Sequence, residues 1–415
     1  MLEELKKREA EGRFIHVGLA GAGAMGLGIA WQIGKTPGMR LSFVTDLNQA
    51  AAQKAKEVYG KECVVGTDTL AVLQDKNIPL DVFVESTNAI GAAAEYCLAA
   101  IGRKAHVVLM NAEVDLILGP LLRHEAAKQE VVVTSDAGDQ HGVLARMMEE
   151  IEMWGFDIVQ AGNIKGFLNR YATPESLAHE AEIRKLSLDQ CCAYTDGSKL
   201  NIEMAIIGNE YNLTPFISGM EGPQCATIEQ AISLFDFDAY GGKGRVDYIL
   251  GAKPGGGVYV VGKCDDEFQK HYLWYYKVIS KHPYYLFYRP YHLCHLETTR
   301  AIALCALYGK AVLTQRHGRV NDVYAYAKKD LEAGTEIKHG IGNDAVYGMV
   351  QSAKEADKNG QIPQGLIDST EAATRTKVAV AKKKDEPILW SDVALPDGPI
   401  QRYYERQKQI LKRDE

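Results

Sequence analysis

The stretch VGLAGAGAMG (residues 17–26) constrains the fold of this chain more than any other. It continues an apolar run of strand length, FIHVGLA (14–20), and leads into a helix-forming segment, so Gly21, Gly23 and Gly26 form G-x-G-x-x-G at a strand-to-helix turn. In that setting the first glycine permits a tight turn and the second lets a pyrophosphate approach the backbone. The third lets helix and strand pack, while the first amides of the helix point at the phosphates. The pattern predicts dinucleotide binding by Gly21, Gly23, Ala24, Met25 and Gly26.

Downstream of this turn the chain repeats the same grammar. RLSFVTD (40–46), DVFVEST (81–87), HVVLMN (106–111) and VVVTSD (131–136) read as strands that alternate with helical segments, near 48–59 and 89–102 among others. Strands alternating with helices predict an α/β fold with a Rossmann-type, doubly wound parallel sheet. A chain of 415 residues exceeds what one core holds, since single cores stop growing at roughly 250–300 residues.

The texture changes after a helix at 141–154, so the expected organisation is a dinucleotide-binding domain at 1–150, an α+β catalytic and oligomerisation domain at 151–312, and a small β domain with a C-terminal tail at 313–415. Within the second, DYILGAKPGGGVYVVGK (247–263) reads as a hairpin about a Pro-Gly-Gly-Gly turn. Within the third, VYAYAKKDLEAGTEI (323–337) and KVAVAKKKDEPILWSDVALP (377–396) resemble each other, which predicts a β unit assembled from separated halves.

A formal net charge of −7 leaves no electrostatic footprint for nucleic acid, and no apolar run reaches the roughly 18 residues of a membrane span. The eight cysteines show neither C-x-x-C pairs nor a dense regular spacing, which fits reduced thiols. With no apolar targeting segment at the N-terminus, the expectation is a soluble cytoplasmic protein with a small-molecule partner.

Asp46 ends the second strand 20 residues past Gly26, where a carboxylate accepts hydrogen bonds from an adenosine ribose and repels a 2′-phosphate. It favours NAD over NADP; the alternative is an aspartate capping the next helix. Ser86, Thr87 and Asn111 lie just past strand ends and either border the nicotinamide or cap helices. Glu113, in MNAEVD, either handles a cation or proton or is simply solvated.

Candidate substrate groups fall in three later segments. AGNIKGFLNRY (161–171) carries Asn163, Lys165 and Arg170 just past a strand end. TDGSK (195–199) opens an apolar helix with Asp196 and Ser198 as possible caps and Lys199 in the first turn, where its ammonium either is solvated or polarises a substrate oxygen with Asp196 orienting it. YYLFYRPYHLCHLE (284–297) places Arg289 before a proline, in an extended segment suited to forked recognition of a carboxylate or phosphate. His292 there either packs or reaches substrate.

Taken together, VGLAGAGAMG, MNAEVD, GDQHG (138–142), AGNIKG, DGSK, LGAKPGGGVYVVG and YRPYHLCHLE resemble the deoxyxylulose-phosphate reductoisomerase-like proteins, whose N-terminal half is related to homoserine dehydrogenase. The terminal segments resemble a C-terminal SAF-type domain. The resemblance implies an NAD(P)-dependent reductoisomerase or oxidoisomerase for a small polyhydroxylated sugar phosphate or sugar acid, with Mg or Mn as a possible second cofactor and Glu113 as its candidate ligand. It places Lys199 at the substrate and implies a homodimer or homotetramer; the residues themselves add Lys165 and Asp196 as catalytic candidates. A homoserine dehydrogenase-like alcohol dehydrogenation without rearrangement and a non-catalytic nucleotide sensor are the other readings.

Overall fold

A computed structural model describes residues 1–368 and 375–414. The chain forms two compact units, each assembled from separated segments.

The first unit comprises Met1–Asp139, Leu293–Thr314 and the chain from Pro396 onward. Its sheet contains β1 (Ile15–Ala20), β2 (Met39–Thr45), β3 (Val64–Gly66), β4 (Val82–Glu85), β5 (His106–Leu109) and β6 (Val133–Ser135) in the order β3-β2-β1-β4-β5-β6. All neighbours run parallel, so this is the expected doubly wound sheet. Ile15, Val17 and Leu19 of β1 are wholly buried, as a central strand covered on both faces requires. Strand order reverses between β1 and β4, and the crevice at the carboxyl ends of these strands is where such sheets bind ligands.

Two later segments complete this unit. Helix Cys294–Tyr308 returns to it and adds Ala301, Ile302 and Cys305 to the core around Ile15, Ile29 and Ile33. Helix Pro399–Asp414 repairs a defect in helix Ala112–Lys128, where Pro120 disturbs the backbone ladder. The buried Gln407 side chain inserts there, accepting from Leu121 N–H at 2.9 Å and donating to the Ile117 carbonyl at 2.9 Å.

The second unit comprises Gln140–His292 and Gln315–Leu395. Its mixed sheet contains β7 (Asp157–Lys165), β8 (Thr214–Pro215), β9 (Arg245–Leu250), β10 (Val258–Lys263), β11 (Ile279–Lys281) and β12 (Tyr284–Arg289) in the order β11-β12-β10-β7-β9-β8. The expected hairpin at 247–263 does not form: β9 pairs parallel with β7 and β10 pairs antiparallel with it, so β7 lies between them. The Pro-Gly-Gly-Gly stretch instead carries the chain across β7, about 10 Å, which the roughly seven linking residues span easily.

Strands β13 (Asn321–Ala327) and β15 (Val346–Ser352) pair with each other, while β14 (Glu336–Ile337), β16 (Thr376–Val378) and β17 (Val393–Ala394) form a small sheet. Glu336 faces Lys377 across the ladder, so the two similar sequence segments do meet. Instead of standing alone at 313–415, these strands share one unit with β7–β12, and the terminal helix belongs to the other. Likewise the segment 1–150 is divided at Gln140, because helix Gln140–Met153 packs with the second sheet.

Helix Ser198–Tyr211 is the spine of the second unit, with every residue from Ser198 to Glu210 buried. Ser198 Oγ accepts from Gly348 N–H and Asn201 Oδ1 from Val350 N–H, so its polar side chains satisfy the β15 backbone. Just ahead of it, Asp196 forms a 2.7 Å ion pair with Lys328, whose ammonium also donates to the carbonyls of Ala172 and Asn343. All eight cysteines are unbridged, and among the described residues no helix is long and apolar enough to cross a membrane.

The Asp196–Lys328 pair is fully desolvated, so removing one partner strands the other charge. Lys328→Met is expected to cost about 3–5 kcal/mol at neutral pH by urea unfolding. Burial already raises the Asp196 carboxyl above its ordinary value against the opposing pull of Lys328, so the loss should shrink as pH falls and Asp196 takes up a proton. A loss below about 1 kcal/mol, the scale of an exposed pair, would show that the pair is not structural.

Candidate active site

The glycine turn of the first unit is built as its sequence requires. Gly21 has φ +90°, and a side chain there would meet the Ser86 carbonyl at 2.6 Å. A β-carbon on Gly26 would come within 1.9 Å of the Gly21 carbonyl oxygen, whereas one on Gly23 would meet nothing within 4 Å. Gly23 is thus the one fingerprint position whose missing side chain the protein does not itself fill. Helix Ala24–Lys35 starts there with no side-chain cap, leaving the amides of its first turn, which includes Ala24 and Met25, available to an anion. A dinucleotide phosphate fits this cradle.

Asp46 ties the turn to the end of β2: its carboxylate accepts from Ala22 N–H at 2.7 Å and from Asn48 N–H at 2.8 Å. The cap of the next helix is Asn48, which accepts from Ala50 and Ala51, so the capping reading of Asp46 falls away. The carboxylate keeps further lone pairs for a ribose, and its charge opposes a 2′-phosphate. Ser86 clamps the turn by donating to the carbonyls of Ala20 and Gly21. Thr87 Oγ1 accepts from Ala89 N–H, and Asn111 caps helix Ala112–Lys128 by accepting from Val114 N–H.

Glu85 was not apparent from the sequence. It ends β4 with no exposed surface, and burial pushes its carboxyl up to about 7 against hydrogen bonds from Thr87 and Asn111, with a smaller upward push from Glu113. Asp136, after β6, is likewise raised to about 7 by burial and by Asp139, and it accepts from Gly138 and Asp139 N–H at the start of GDQHG.

In the second unit, the end of β7 and the two helices converge on Gln140. Its Oε1 accepts from Lys165 Nζ at 2.7 Å and from Asn163 Nδ2 at 2.9 Å, while its Nε2 donates to the Gly257 carbonyl at 3.3 Å. Asn163 Nδ2 also reaches Glu203 Oε2 at 3.4 Å. Asn163 Oδ1 is buried without a partner, as are both ring nitrogens of His141, the residue next to Gln140. Lys199 lies one turn before Glu203, and residues i and i+4 share a helix face. At 8% exposure it is a buried cation, which removes the solvated reading.

Arg289, the last residue of β12, stands opposite Val258 of β10, which on its other side stands opposite Asn163, so it lies two strands from Asn163 at the same end of the sheet. Asp196 pairs with Lys328 at 2.7 Å. Ser198 is occupied with Gly348 and Gln364, and the helix cap is Gly197. Arg170 is exposed with its guanidinium 5.1 Å from the Tyr347 ring centre, and Arg289 lies 4.7 Å from that of Tyr291. His292 is partly buried at the end of the second unit's first segment. Gln140, His141 and Glu203 belong to the site and were not singled out in the sequence beyond the GDQHG motif.

A divalent ion fits neither place. Around Asn163 the donors are amides, one carboxylate and ammonium groups, whereas Mg takes oxygen ligands and Lys165 already brings positive charge. Among the described residues, neither Glu203 nor Glu113 belongs to a group of three or more His, Cys, Asp or Glu side chains close enough to share an ion.

Residues 138–298 match the family described as "Oxidoreductase DRL, catalytic domain". That segment contains Gln140, His141, Asn163, Lys165, Lys199 and Glu203. No curated protein sequence matches the chain. Similar solved structures include biliverdin reductase from Synechocystis sp. PCC 6803 in complex with biliverdin and NADP+, at 16% identity and TM-score 0.30 over 38% of this chain and 49% of that one. The likeness therefore spans about half the length of that reductase. Others are a probable dehydrogenase from Thermotoga maritima, at 14% identity and TM-score 0.45 over 74% and 92%, and scyllo-inositol dehydrogenase from Lactobacillus casei with NAD(H) and scyllo-inositol, at 13% and 0.43 over 74% and 93%. The chain thus combines a glycine-fingerprint unit with a segment that matches an oxidoreductase catalytic domain.

Gly23→Ala should leave thermal stability unchanged while weakening NAD binding, because the added methyl meets only the ligand's space; Gly26→Ala should destabilise the first unit outright. Equal effects on stability would refute this division of roles. A second outcome concerns Glu85. Its raised value means the folded chain holds a proton that the unfolded chain releases, so its contribution is full below about pH 4.5 and is lost as pH rises through about 7. Relative to the wild type, Glu85→Gln should gain in Tm between about pH 5 and 8; a constant offset would contradict it.

Proposed function

We propose that the chain uses NAD to interconvert a hydroxyl and a carbonyl group on a small polyhydroxylated substrate, a sugar acid or sugar phosphate. The observation that carries this reading is the connected network at the end of β7, in which Gln140 joins the Lys165 ammonium to Asn163 and through it to Glu203.

Bound NAD supplies hydride transfer. The rest is the work of this chain's own side chains. Gln140 holds Lys165 Nζ in place, so its ammonium can exchange a proton with the substrate oxygen as that oxygen changes between hydroxyl and carbonyl. Asn163 Oδ1, buried without a partner, accepts from a neighbouring substrate hydroxyl. Lys199, buried on the same helix as Glu203, adds positive charge where the oxygen becomes negative, and Glu203 balances the two ammonium groups. Asp46 directs the choice of NAD over NADP.

The resemblance to deoxyxylulose-phosphate reductoisomerases supports a finer version in which the redox step accompanies a shift of the carbon skeleton. Carbon-13 NMR of the product separates the two, since simple dehydrogenation keeps every carbon–carbon bond. Lys165→Met is expected to lower kcat by about 10²–10⁴-fold while NAD still binds as in the wild type. Unchanged turnover would remove Lys165 from the chemistry, and tighter binding of NADP than NAD would overturn the role given to Asp46.

A further inference from the structure

The end of the second unit's sheet opposite Lys165 also carries an open space. A cavity of about 730 Å³ opens beside the loop GGKGR (241–245), with Lys243, Arg245, Thr214, Phe216, Ser352 and Glu355 among its walls. Arg245 begins β9 opposite Gln160, and Leu250 at the far end of that strand stands opposite Lys165. About five residues of extended chain, about 16 Å, therefore separate the level of Arg245 from that of Lys165. Helix Ser198–Tyr211 gives the same separation independently: Lys199 is in its first turn, and Asn212, which caps its other end, lines the cavity.

Neither cation of this cavity is held in an ion pair among the described residues. Arg245 is held rather than neutralised: its Nη1 donates to Thr214 Oγ1 at 2.7 Å, and its guanidinium lies 5.2 Å from the ring centre of Phe216 and 5.6 Å from that of Tyr240. Its Nε is buried with no partner. Among the described residues neither Arg245 nor Lys243 has a carboxylate within ion-pair distance, in a chain of net charge −7. A half-buried guanidinium pays for desolvation without an anion to recover it, and a fixed fork of N–H donors is the geometry that suits phosphate. Glu355, the wall's carboxylate, is exposed.

We infer that this cavity is a binding site for a phosphate monoester carried on a small hydroxyl-bearing molecule, separate from the site at Lys165. Two cations match a dianionic phosphate better than a single carboxylate. The hydroxyl groups of Thr214 and Ser352 and the face of Phe216 suit a sugar body, and the volume is that of a small-molecule pocket.

The test is isothermal titration with ribose 5-phosphate, and with ribose as control, on the full chain saturated with NAD so that the glycine turn is filled. Ribose 5-phosphate should bind saturably and ribose should not. Arg245→Gln and Lys243→Ala should each weaken binding about tenfold or more, while Lys165→Met leaves it unchanged. Lys243 is exposed on a loop, so its variant keeps the test valid should Arg245→Gln fold poorly. Absence of saturable binding, equal binding of ribose, wild-type affinity in Lys243→Ala, or a loss that accompanies Lys165→Met would each overturn the assignment. Because ribose 5-phosphate also falls in the substrate class proposed for the Lys165 site, Arg245→Gln and Lys243→Ala are measured in the Lys165→Met background as well, where binding that they still weaken belongs to the cavity and not to that site.

Discussion

The burial of helix Ser198–Tyr211 along its whole length up to Glu210 sets the terms for the second unit. A buried helix can carry polar side chains only where each finds a partner, and here they divide by face. Ser198 and Asn201, three residues apart, accept from backbone amides of β15. Glu203 turns to a different neighbour, Asn163 on β7, and Lys199 stands one turn ahead of it on that side. One helix thereby fixes the strands contributed by the distant C-terminal segment and presents a charged pair of positions to the end of β7. The ion pair Asp196–Lys328 closes the same joint from the helix's leading end.

Unit one obeys a constraint of space rather than charge. Gly21 and Gly26 are packed against protein backbone, and Asp46 and Ser86 hold the turn through its amide and carbonyl groups. Side chains that sequence position alone would assign to ligand contact thus act first on the loop. That is compatible with binding, because a preorganised turn does not have to be ordered when the ligand arrives.

How much could be read from the sequence depends on the range of each interaction. The glycine turn, the parallel strands and the two lysines were legible because each is announced within a few residues: a strand before, a helix after, a turn beside the cation. The hairpin at 247–263 was misread because the strand that separates its arms, β7, lies far earlier in the chain, at Asp157–Lys165. Gln140 and Glu203 were missed because an amide and a carboxylate inside helices have no spacing signal; only the fold brings them to Asn163. Arg170 and Arg289 show what local sequence leaves out: the first lies near the ring of Tyr347, far along the chain, and the second ends β12 near the ring of Tyr291.

The chemistry of the two cation types explains why lysines rather than arginines mark the proposed reaction. In the proposed reaction Lys165 and Lys199 offer compact ammonium groups, the kind of cation that can exchange a proton, and Gln140 Oε1 accepts from the first at 2.7 Å. Arg245 is the opposite design: permanently charged, flat, and braced by Thr214 and two aromatic rings at the far end of the sheet. Within a single sheet, the residue type at each end thus matches the role proposed for it, a proton to be moved at Lys165 and an anion to be held at Arg245.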